Sequence, residues 1–250
     1  MKTLQIILIA LASFSGCAKK TDTPKINTVS STNTGNMTTM TNTDSLTYLA
    51  LGDSYTIGES VEQEQSYPYQ LISSLNANFM AKKSAYKVQS PTIIATTGWT
   101  TDNLIAAINQ SGITGKKFSF VTLLIGVNDQ YQQLSLGNYQ VKFAQVLNMA
   151  ISFANGDVNK VFVISIPDYG VTPFAAGRDS IIGPEIDAFN AINLAESRKA
   201  GVNYLNITGI SKQAATNLNL VAPDGLHPSA LMYQLWVQQL EPMVMAKFKN

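Results

Sequence analysis

The sequence predicts a three-layer α/β/α sandwich built around a mostly parallel β-sheet, and two observations carry this prediction. Short, almost continuously apolar runs, typical of strands buried on both faces, alternate along the chain with longer amphipathic stretches typical of helices. Strands and helices that alternate in this way form right-handed crossovers, which set the strands parallel and cover both faces of the sheet. The 250 residues are enough for one domain of ordinary size and some additional sequence.

The first residues, "MKTLQIILIALASFSGC", are typical of an export signal. Lys2 precedes an apolar run from Leu4 to Ala12, and small residues follow. The run is much shorter than the about 20 residues that a helix needs to cross a bilayer. We therefore interpret residues 1–16 as a cleaved signal peptide.

The residues "FSGC" resemble the lipobox of bacterial lipoproteins, in which the cysteine becomes the lipid-modified first residue of the mature chain. Phe14 stands where leucine is usual. The resemblance predicts lipidation of Cys17, the only cysteine, and a protein exported to the bacterial cell envelope and held at a membrane by its acyl chains. The alternative is an ordinary signal peptide with an incidental cysteine.

Residues 17–44 are predicted to be the lipidated cysteine and a flexible tether. From Ala18 to Asp44 the sequence contains nine threonines, no aromatic residue and no apolar periodicity. Such a segment would have a root-mean-square reach of about 30 Å if it behaved as Gly/Ser linkers do. The folded domain would then sample the space close to the membrane surface.

Residues 45–250 are predicted to form the folded domain. Apolar runs predict strands at 46–52, 92–98, 119–126, 160–167 and 202–207. Amphipathic stretches predict helices at 67–79, 101–110, 138–155, about 184–200 and 228–248. Pro228 suits the first turn of the last helix, where the missing N–H of proline costs nothing.

Polar turns that contain glycine follow the first three predicted strands. They read "LGDSYTIGES", "TTGWTTDN" and "LLIGVNDQY"; "IPDYG" follows the fourth strand, and "PDGLHPSA" precedes the last helix. In open parallel sheets, ligands bind in the crevice beyond the carboxyl ends of the strands. We therefore expect these segments to meet at one edge of the sheet and to form the functional site.

Ser54 lies where the first buried strand turns abruptly into polar sequence. A serine hydroxyl is a weak nucleophile and needs a base to accept its proton. His227 is the only histidine in the chain, and an imidazole suits general-base work near neutral pH. Asp224, three residues upstream, is placed to hold one ring nitrogen, so the sequence predicts a triad in the order Ser, Asp, His.

Acyl transfer also places negative charge on the substrate carbonyl oxygen, which needs hydrogen-bond donors. Gly98 and Asn128 each lie just beyond a predicted strand. Glycine lets the N–H of position 98 approach a ligand without an intervening Cβ, and the Asn128 amide donates from its side chain. The backbone N–H of Ser54 is a third candidate donor.

Four segments, "GDSYTIG", "TTGWTTDNL", "IGVND" and "DGLH", resemble in order the four sequence blocks of the SGNH (GDSL-type) hydrolase family. The resemblance implies a flavodoxin-like domain with about five parallel strands and hydrolysis of esters or thioesters without a metal or other cofactor. It implies Ser54 as nucleophile, Gly98 and Asn128 as oxyanion donors, and Asp224 with His227 as the rest of the triad. Tyr55 replaces the common leucine after the serine.

Composition restricts the partners. Lys and Arg number 17 against 16 Asp and Glu, so the chain has no basic surplus for nucleic acid. One cysteine and one histidine cannot form an internal disulfide or a structural zinc site. The expected partners are a small-molecule, carbohydrate or lipid ester and, through the lipid anchor, a membrane; the sequence leaves the oligomeric state open.

Tyr55, Trp99 and Tyr131 are candidates for the substrate pocket, although the last two could equally cap the core. Asp53 is expected to fix the turn by hydrogen bonding rather than to take part in the chemistry. We predict a serine esterase for short acyl groups, such as O-acyl carbohydrates, because no long apolar lid segment is present to shelter a fatty chain. The alternatives are a lipase, lysophospholipase or thioesterase for longer chains, and a non-catalytic binding lipoprotein.

Overall fold

The computed structural model describes residues 44–248. The predicted signal peptide, Cys17 and the tether up to residue 43 lie outside the described residues. Asp44, which we assigned to the tether, is instead the first residue of a strand. Within residues 44–248, none of the helices combines the length and the apolar character required to cross a membrane.

The described chain contains seven strands in two sheets. They are β1 (Asp44–Leu46), β2 (Tyr48–Gly52), β3 (Tyr86–Val88), β4 (Thr92–Ala95), β5 (Phe120–Leu124), β6 (Val161–Ile164) and β7 (Asn203–Leu205). The larger sheet has five parallel strands in the order β4-β2-β5-β6-β7, which confirms the predicted central sheet. Every residue of β2, β5 and β6 is buried, as their almost continuous apolar sequence predicts.

A second sheet, formed by β1 and β3 in parallel, was not predicted. The apolar run 46–52 is divided at Thr47, where the backbone N–H binds the Ser119 hydroxyl instead of a sheet neighbour. β3 has only three residues, of which Val88 alone is buried, so it has no clear sequence signal.

Two groups of helices flank the central sheet. The helices are α1 (Ser54–Ile57), α2 (Tyr67–Ala81), α3 (Thr101–Gln110), α4 (Val127–Tyr131), α5 (Leu136–Phe153), α6 (Asp179–Ala200), α7 (Thr208–Ser211) and α8 (Ala230–Met245). α2 packs against α8, and α5 packs against both α3 and α6. The rings of Tyr67, Tyr233 and Trp236 contact one another between α2 and α8. The predicted three-layer sandwich is thereby confirmed.

Three predicted helix starts were wrong. α5 begins at Leu136 rather than at residue 138, because the Ser135 hydroxyl accepts a hydrogen bond from the N–H of Asn138 and caps the helix. α8 begins at Ala230 rather than at Pro228, because the Ser229 hydroxyl accepts a hydrogen bond from the N–H of Met232 and so caps the helix. Pro228 instead pairs with Val221 in an isolated antiparallel bridge. α6 begins at Asp179, ahead of the predicted start near residue 184, and Pro184 lies inside it.

The carboxyl ends of the central strands meet at one edge. Gly52, the last residue of β2, pairs with Ala95 at the end of β4 and with Leu124 at the end of β5. The segments that follow these three strands therefore leave the sheet side by side, where parallel sheets place their ligand sites.

Candidate active site

Ser54 is the first residue of the short helix α1, directly after β2. The turn between them requires glycine at position 52, because a Cβ there would lie 2.1 Å from the Thr56 hydroxyl and 2.4 Å from the Leu124 carbonyl oxygen. The Asp53 side chain accepts a hydrogen bond from the N–H of Tyr55 at 3.0 Å and caps the helix. Ser54 is 4% exposed.

Asp53 is fully buried beneath this turn. One carboxyl oxygen accepts the bond from Tyr55, and the other has no hydrogen-bond partner in the described part of the chain. Burial, which is the largest cause, and the nearby Asp129 together raise the pKa of Asp53 to about 8, although the hydrogen bond from the Tyr55 N–H lowers it. Asp53 therefore carries its proton at neutral pH, which fits a structural role.

Loop 222–228, which precedes α8, carries Asp224 and His227. The imidazole Nδ1 lies 2.5 Å from Asp224 Oδ2, and Asp224 Oδ1 accepts hydrogen bonds from the N–H groups of Leu226 and His227. The loop is closed by a 2.7 Å bond from the N–H of Ala222 to the carbonyl of His227. The spacing of three residues between Asp224 and His227 thus places the carboxylate next to the imidazole.

The Asp224 carboxylate is stabilised in its ionised form. Burial raises its pKa, but hydrogen bonds from His227, the Leu226 N–H and Ser60 outweigh burial and hold the pKa well below its ordinary value. An ionised carboxylate at Nδ1 orients the ring and leaves Nε2 as the nitrogen that accepts a proton. The imidazole is 7% exposed, and the Tyr55 ring packs edge-on against it at 5.6 Å.

Gly98 lies in loop 96–100, between β4 and α3, with φ +82°. This left-handed conformation favours glycine. Apart from Gly98 and its two neighbours in sequence, no atom of residues 44–248 lies within 4 Å of the position that a Cβ would occupy, so the backbone conformation rather than crowding selects glycine here.

Asn128 is the second residue of α4, after β5. One N–H of its side-chain amide donates to the Trp99 carbonyl at 3.0 Å, which leaves a second N–H for another acceptor. The neighbouring Asp129 accepts hydrogen bonds from the N–H and the hydroxyl of Thr101 at 3.0 and 2.6 Å. These bonds tie α4 to loop 96–100.

One cavity of about 200 Å³ collects most of the predicted site residues. Ser54, Gly98, Asn128 and His227 line it, and Asp224 holds the imidazole through its Nδ1 atom. Within residues 44–248 the Ser54 hydroxyl has no hydrogen-bond partner, and such contacts commonly tighten only when substrate binds. The arrangement juxtaposes a serine, a base held by a carboxylate and hydrogen-bond donors, which are the parts needed for acyl transfer.

The sequence profile of the GDSL-like lipase/acylhydrolase family matches residues 50–235. The chain belongs to this family. Family membership makes the protein a carboxylic ester hydrolase. None of the curated proteins matches the chain by sequence.

Solved structures of several other proteins share the fold of this GDSL-like hydrolase. TesA has a TM-score of 0.61 at 16% identity, over 81% of this chain and 99% of its own. The esterase EstA from Pseudoalteromonas sp. has a TM-score of 0.58 at 16% identity, over 82% of this chain and 99% of its own. An acetylxylan esterase from Geobacillus stearothermophilus has a TM-score of 0.61 at 14% identity, over 82% of this chain and 96% of its own. At these identities the likeness establishes the fold.

The outer wall of the cavity of this GDSL-like hydrolase is aromatic. The Tyr131 ring lies 6.4 Å from those of Tyr169 and Phe174, and all three residues line the cavity. The Tyr169 hydroxyl donates to Gln130 at 2.9 Å, and Gln130 donates to Glu185 at 2.6 Å. This chain of bonds fixes the position of the Tyr169 ring.

The structure brings two of the three predicted pocket residues to the cavity. Tyr55 lines the cavity, and so does Tyr131, which is 54% exposed. Trp99 follows the alternative that the sequence left open: its side chain packs against the hydrophobic core, and its carbonyl contacts the site through Asn128. Phe174 was missed, because it lies in a single 3₁₀ turn, Pro173–Ala175, that has no strand-end motif.

The other lining residues are Thr97, Val127 and Leu226, so none of the lining residues is an Asp, Glu, Lys or Arg. Among residues 44–248, no three His, Cys, Asp or Glu side chains are grouped so that they could hold a metal ion.

Proposed function

We propose that the protein is a serine esterase that cleaves carboxylic esters through an acyl-enzyme on Ser54. The observation that carries the proposal is the convergence of Ser54, Gly98, Asn128 and His227 on one cavity, with Asp224 bound to the imidazole. A module that only binds a ligand has no need of this complete set.

In the proposed mechanism, His227 Nε2 accepts the Ser54 proton as the hydroxyl oxygen attacks the ester carbonyl. Asp224 stabilises the imidazolium that forms. Collapse of the tetrahedral intermediate breaks the bond to the alcohol, which leaves with the proton from Nε2. Water, deprotonated by the same nitrogen, then cleaves the acyl-enzyme and releases the acid and the free serine.

The negative oxygen of each intermediate would be held by three donors: the N–H groups of Ser54 and Gly98 and the second amide N–H of Asn128. The bond from Asn128 to the Trp99 carbonyl holds this amide before substrate arrives. Donors fixed in advance need no reorganisation during the reaction, which is why such sites lower the barrier.

We propose that the preferred substrates are neutral esters of short acyl groups. The cavity of about 200 Å³ is smaller than the roughly 300–1,000 Å³ of common ligand pockets. Its lining contains no Lys or Arg side chain to bind a phosphate or another anionic group. O-acyl carbohydrates fit this description, and the similar fold of an acetylxylan esterase supports the choice.

A lipase, lysophospholipase or thioesterase for longer chains is the second candidate. The observation that favours it is the exposed apolar surface at the mouth of the cavity, where Tyr131 is 54% and Phe174 is 42% exposed. An acyl chain could leave the cavity over these rings without a lid.

We further propose that the enzyme works at the bacterial cell envelope. The support comes from the sequence, in which an export signal, a lipobox cysteine at Cys17 and a polar tether precede the enzyme domain. A mature protein that carries acyl chains on Cys17 would partition into detergent or membranes, whereas a C17S variant would remain in the aqueous phase.

A series of p-nitrophenyl esters from acetate to palmitate tests the proposed reaction. We expect the highest kcat/KM at C2–C4 and almost no turnover by Ser54→Ala, with an unchanged circular dichroism spectrum. A maximum at C12 or longer would instead support the lipase. No turnover of any ester would favour the non-catalytic binding lipoprotein, and an active Ser54→Ala variant would place the nucleophile elsewhere.

A further inference from the structure

The turn that follows α1 contacts three segments of the candidate site, namely α1, loop 96–100 and loop 222–228. We propose that its residues Glu59 and Ser60 are positioning residues, which fix loop 222–228 and loop 96–100 against the nucleophile. The inference rests on the proposed function and goes beyond it, because neither residue lines the cavity or touches the reacting atoms.

Ser60 holds the carboxylate of Asp224. Its hydroxyl donates to Oδ2 at 2.7 Å, and the same oxygen contacts the imidazole Nδ1 of His227. The other hydrogen bonds to Asp224 in the described chain come from its own loop, namely from the N–H groups of Leu226 and His227. The Asp224 side chain is 29% exposed, so without Ser60 only its own loop would keep it from turning toward water.

The backbone of Ser60 is in an unfavourable conformation. Its φ is +65°, in the left-handed region that non-glycine residues seldom adopt. Such strain persists where the surroundings enforce it, and it is concentrated at functional sites. Here the strained residue aims its hydroxyl at a carboxylate 164 positions away in the sequence.

Glu59 connects the same turn to the other two segments. Its N–H donates to the carbonyl of Ser54 at 3.1 Å. Its carboxylate accepts a short hydrogen bond from the hydroxyl of Thr97, which lines the cavity next to Gly98. Two adjacent residues thus join the nucleophile, loop 96–100 and loop 222–228.

Two variants separate the hydroxyl of Ser60 from the shape of the turn. Ser60→Ala removes the hydroxyl and keeps the strain, whereas Ser60→Gly removes the hydroxyl and relieves the strain. The matched controls are Asn155→Ala and Asn155→Gly, at an exposed position after α5 with φ +58°. If the hydroxyl positions Asp224, both Ser60 variants lower kcat about tenfold, because that is the order expected for the loss of one hydrogen bond to a charged group. Their KM should stay within about twofold of the wild-type value. The two controls keep full kcat.

Nuclear magnetic resonance gives a readout that needs no turnover. Since His227 is the only histidine, one low-field Nδ1–H line reports its bond to Asp224. We expect this line in the wild type and in the Asn155 variants. It should be lost or broadened in both Ser60 variants at the same pH and temperature, because the carboxylate becomes mobile. The other titratable groups around the imidazole, Tyr55, Asp168 and Tyr169, are unchanged in every variant.

Glu59 is tested by Glu59→Gln, which retains an acceptor for Thr97, and by Glu59→Ala, which does not. We expect Glu59→Gln to retain most of the activity, and Glu59→Ala to lower kcat several-fold while the low-field line persists.

Wild-type kcat and an intact line in Ser60→Gly would overturn the role of Ser60, and wild-type kcat in Glu59→Ala would overturn that of Glu59. If the wild type hydrolyses no ester, the proposed function is wrong, but the role of Ser60 is still tested. The low-field resonance of His227 then shows whether Ser60 positions Asp224, because it needs no turnover.

Discussion

Replacing the buried carboxyl beneath the nucleophile by an amide should change how stability depends on pH. Asp53 is fully buried, one of its oxygens accepts a bond from the Tyr55 N–H, and its pKa is raised to about 8. The variant Asp53→Asn retains the acceptor and the shape of the side chain but has no proton to release.

The magnitude follows from the linkage between protonation and folding. The unfolded chain releases the Asp53 proton near pH 3.8, whereas the folded protein keeps it to about pH 8. The contribution of Asp53 to the free energy of unfolding is therefore fully present below pH 3.8. It is lost as the pH rises toward 8, by up to about 1.4 kcal/mol per pH unit. Between pH 5 and pH 8 the wild type should lose up to about 4 kcal/mol that Asp53→Asn does not lose.

Urea unfolding followed by tryptophan fluorescence at pH 5, 6.5 and 8 measures this difference. The difference in the free energy of unfolding, Asp53→Asn minus wild type, should increase by several kcal/mol from pH 5 to pH 8. The m-values of the two proteins should be equal. Asp179→Asn, which removes an exposed carboxylate at the start of α6, is the control and should show no comparable trend. A difference between Asp53→Asn and the wild type that stays constant over this range would refute the assignment of a buried, protonated Asp53.

Three further outcomes follow from the site. Ester hydrolysis should fall at acid pH, because the base must be neutral while Asp224 stays ionised; a flat rate from pH 4 to 9 would exclude His227 as the base. Asn128→Ala should lower kcat by about 10²–10³, measured on p-nitrophenyl acetate, and a loss below threefold would remove its amide from the set of donors. Gly52→Ala should lower the Tm strongly or prevent folding, because the new Cβ would lie 2.4 Å from the Leu124 carbonyl oxygen; an unchanged Tm would contradict this crowding.

The sequence was most informative where hydrophobicity and strand ends determine structure. Buried parallel strands have almost continuous apolar sequence, so the cores of β2, β5 and β6 were predictable. Their common carboxyl edge followed from the parallel topology, and it brought Ser54 and His227 to one cavity.

The sequence was least informative where tertiary contacts decide. Ser60 lies in an ordinary polar turn, and only the folded chain brings its hydroxyl to Asp224. Phe174 reaches the cavity from a single 3₁₀ turn, which is too short to show periodicity, and the Trp99 side chain packs against the core although it follows Gly98 directly. Side-chain direction in such loops depends on packing partners that are distant in sequence.

The pairing of Ser54 with His227 is tested most directly by covalent labelling with a fluorophosphonate, read by intact mass and peptide mapping. We predict a single adduct, on Ser54, in the wild type. Ser54→Ala should give none, and His227→Ala should label at least about a hundredfold more slowly, because the hydroxyl then lacks its base. An adduct on another residue, or equally rapid labelling of Ser54 without the imidazole, would contradict the account.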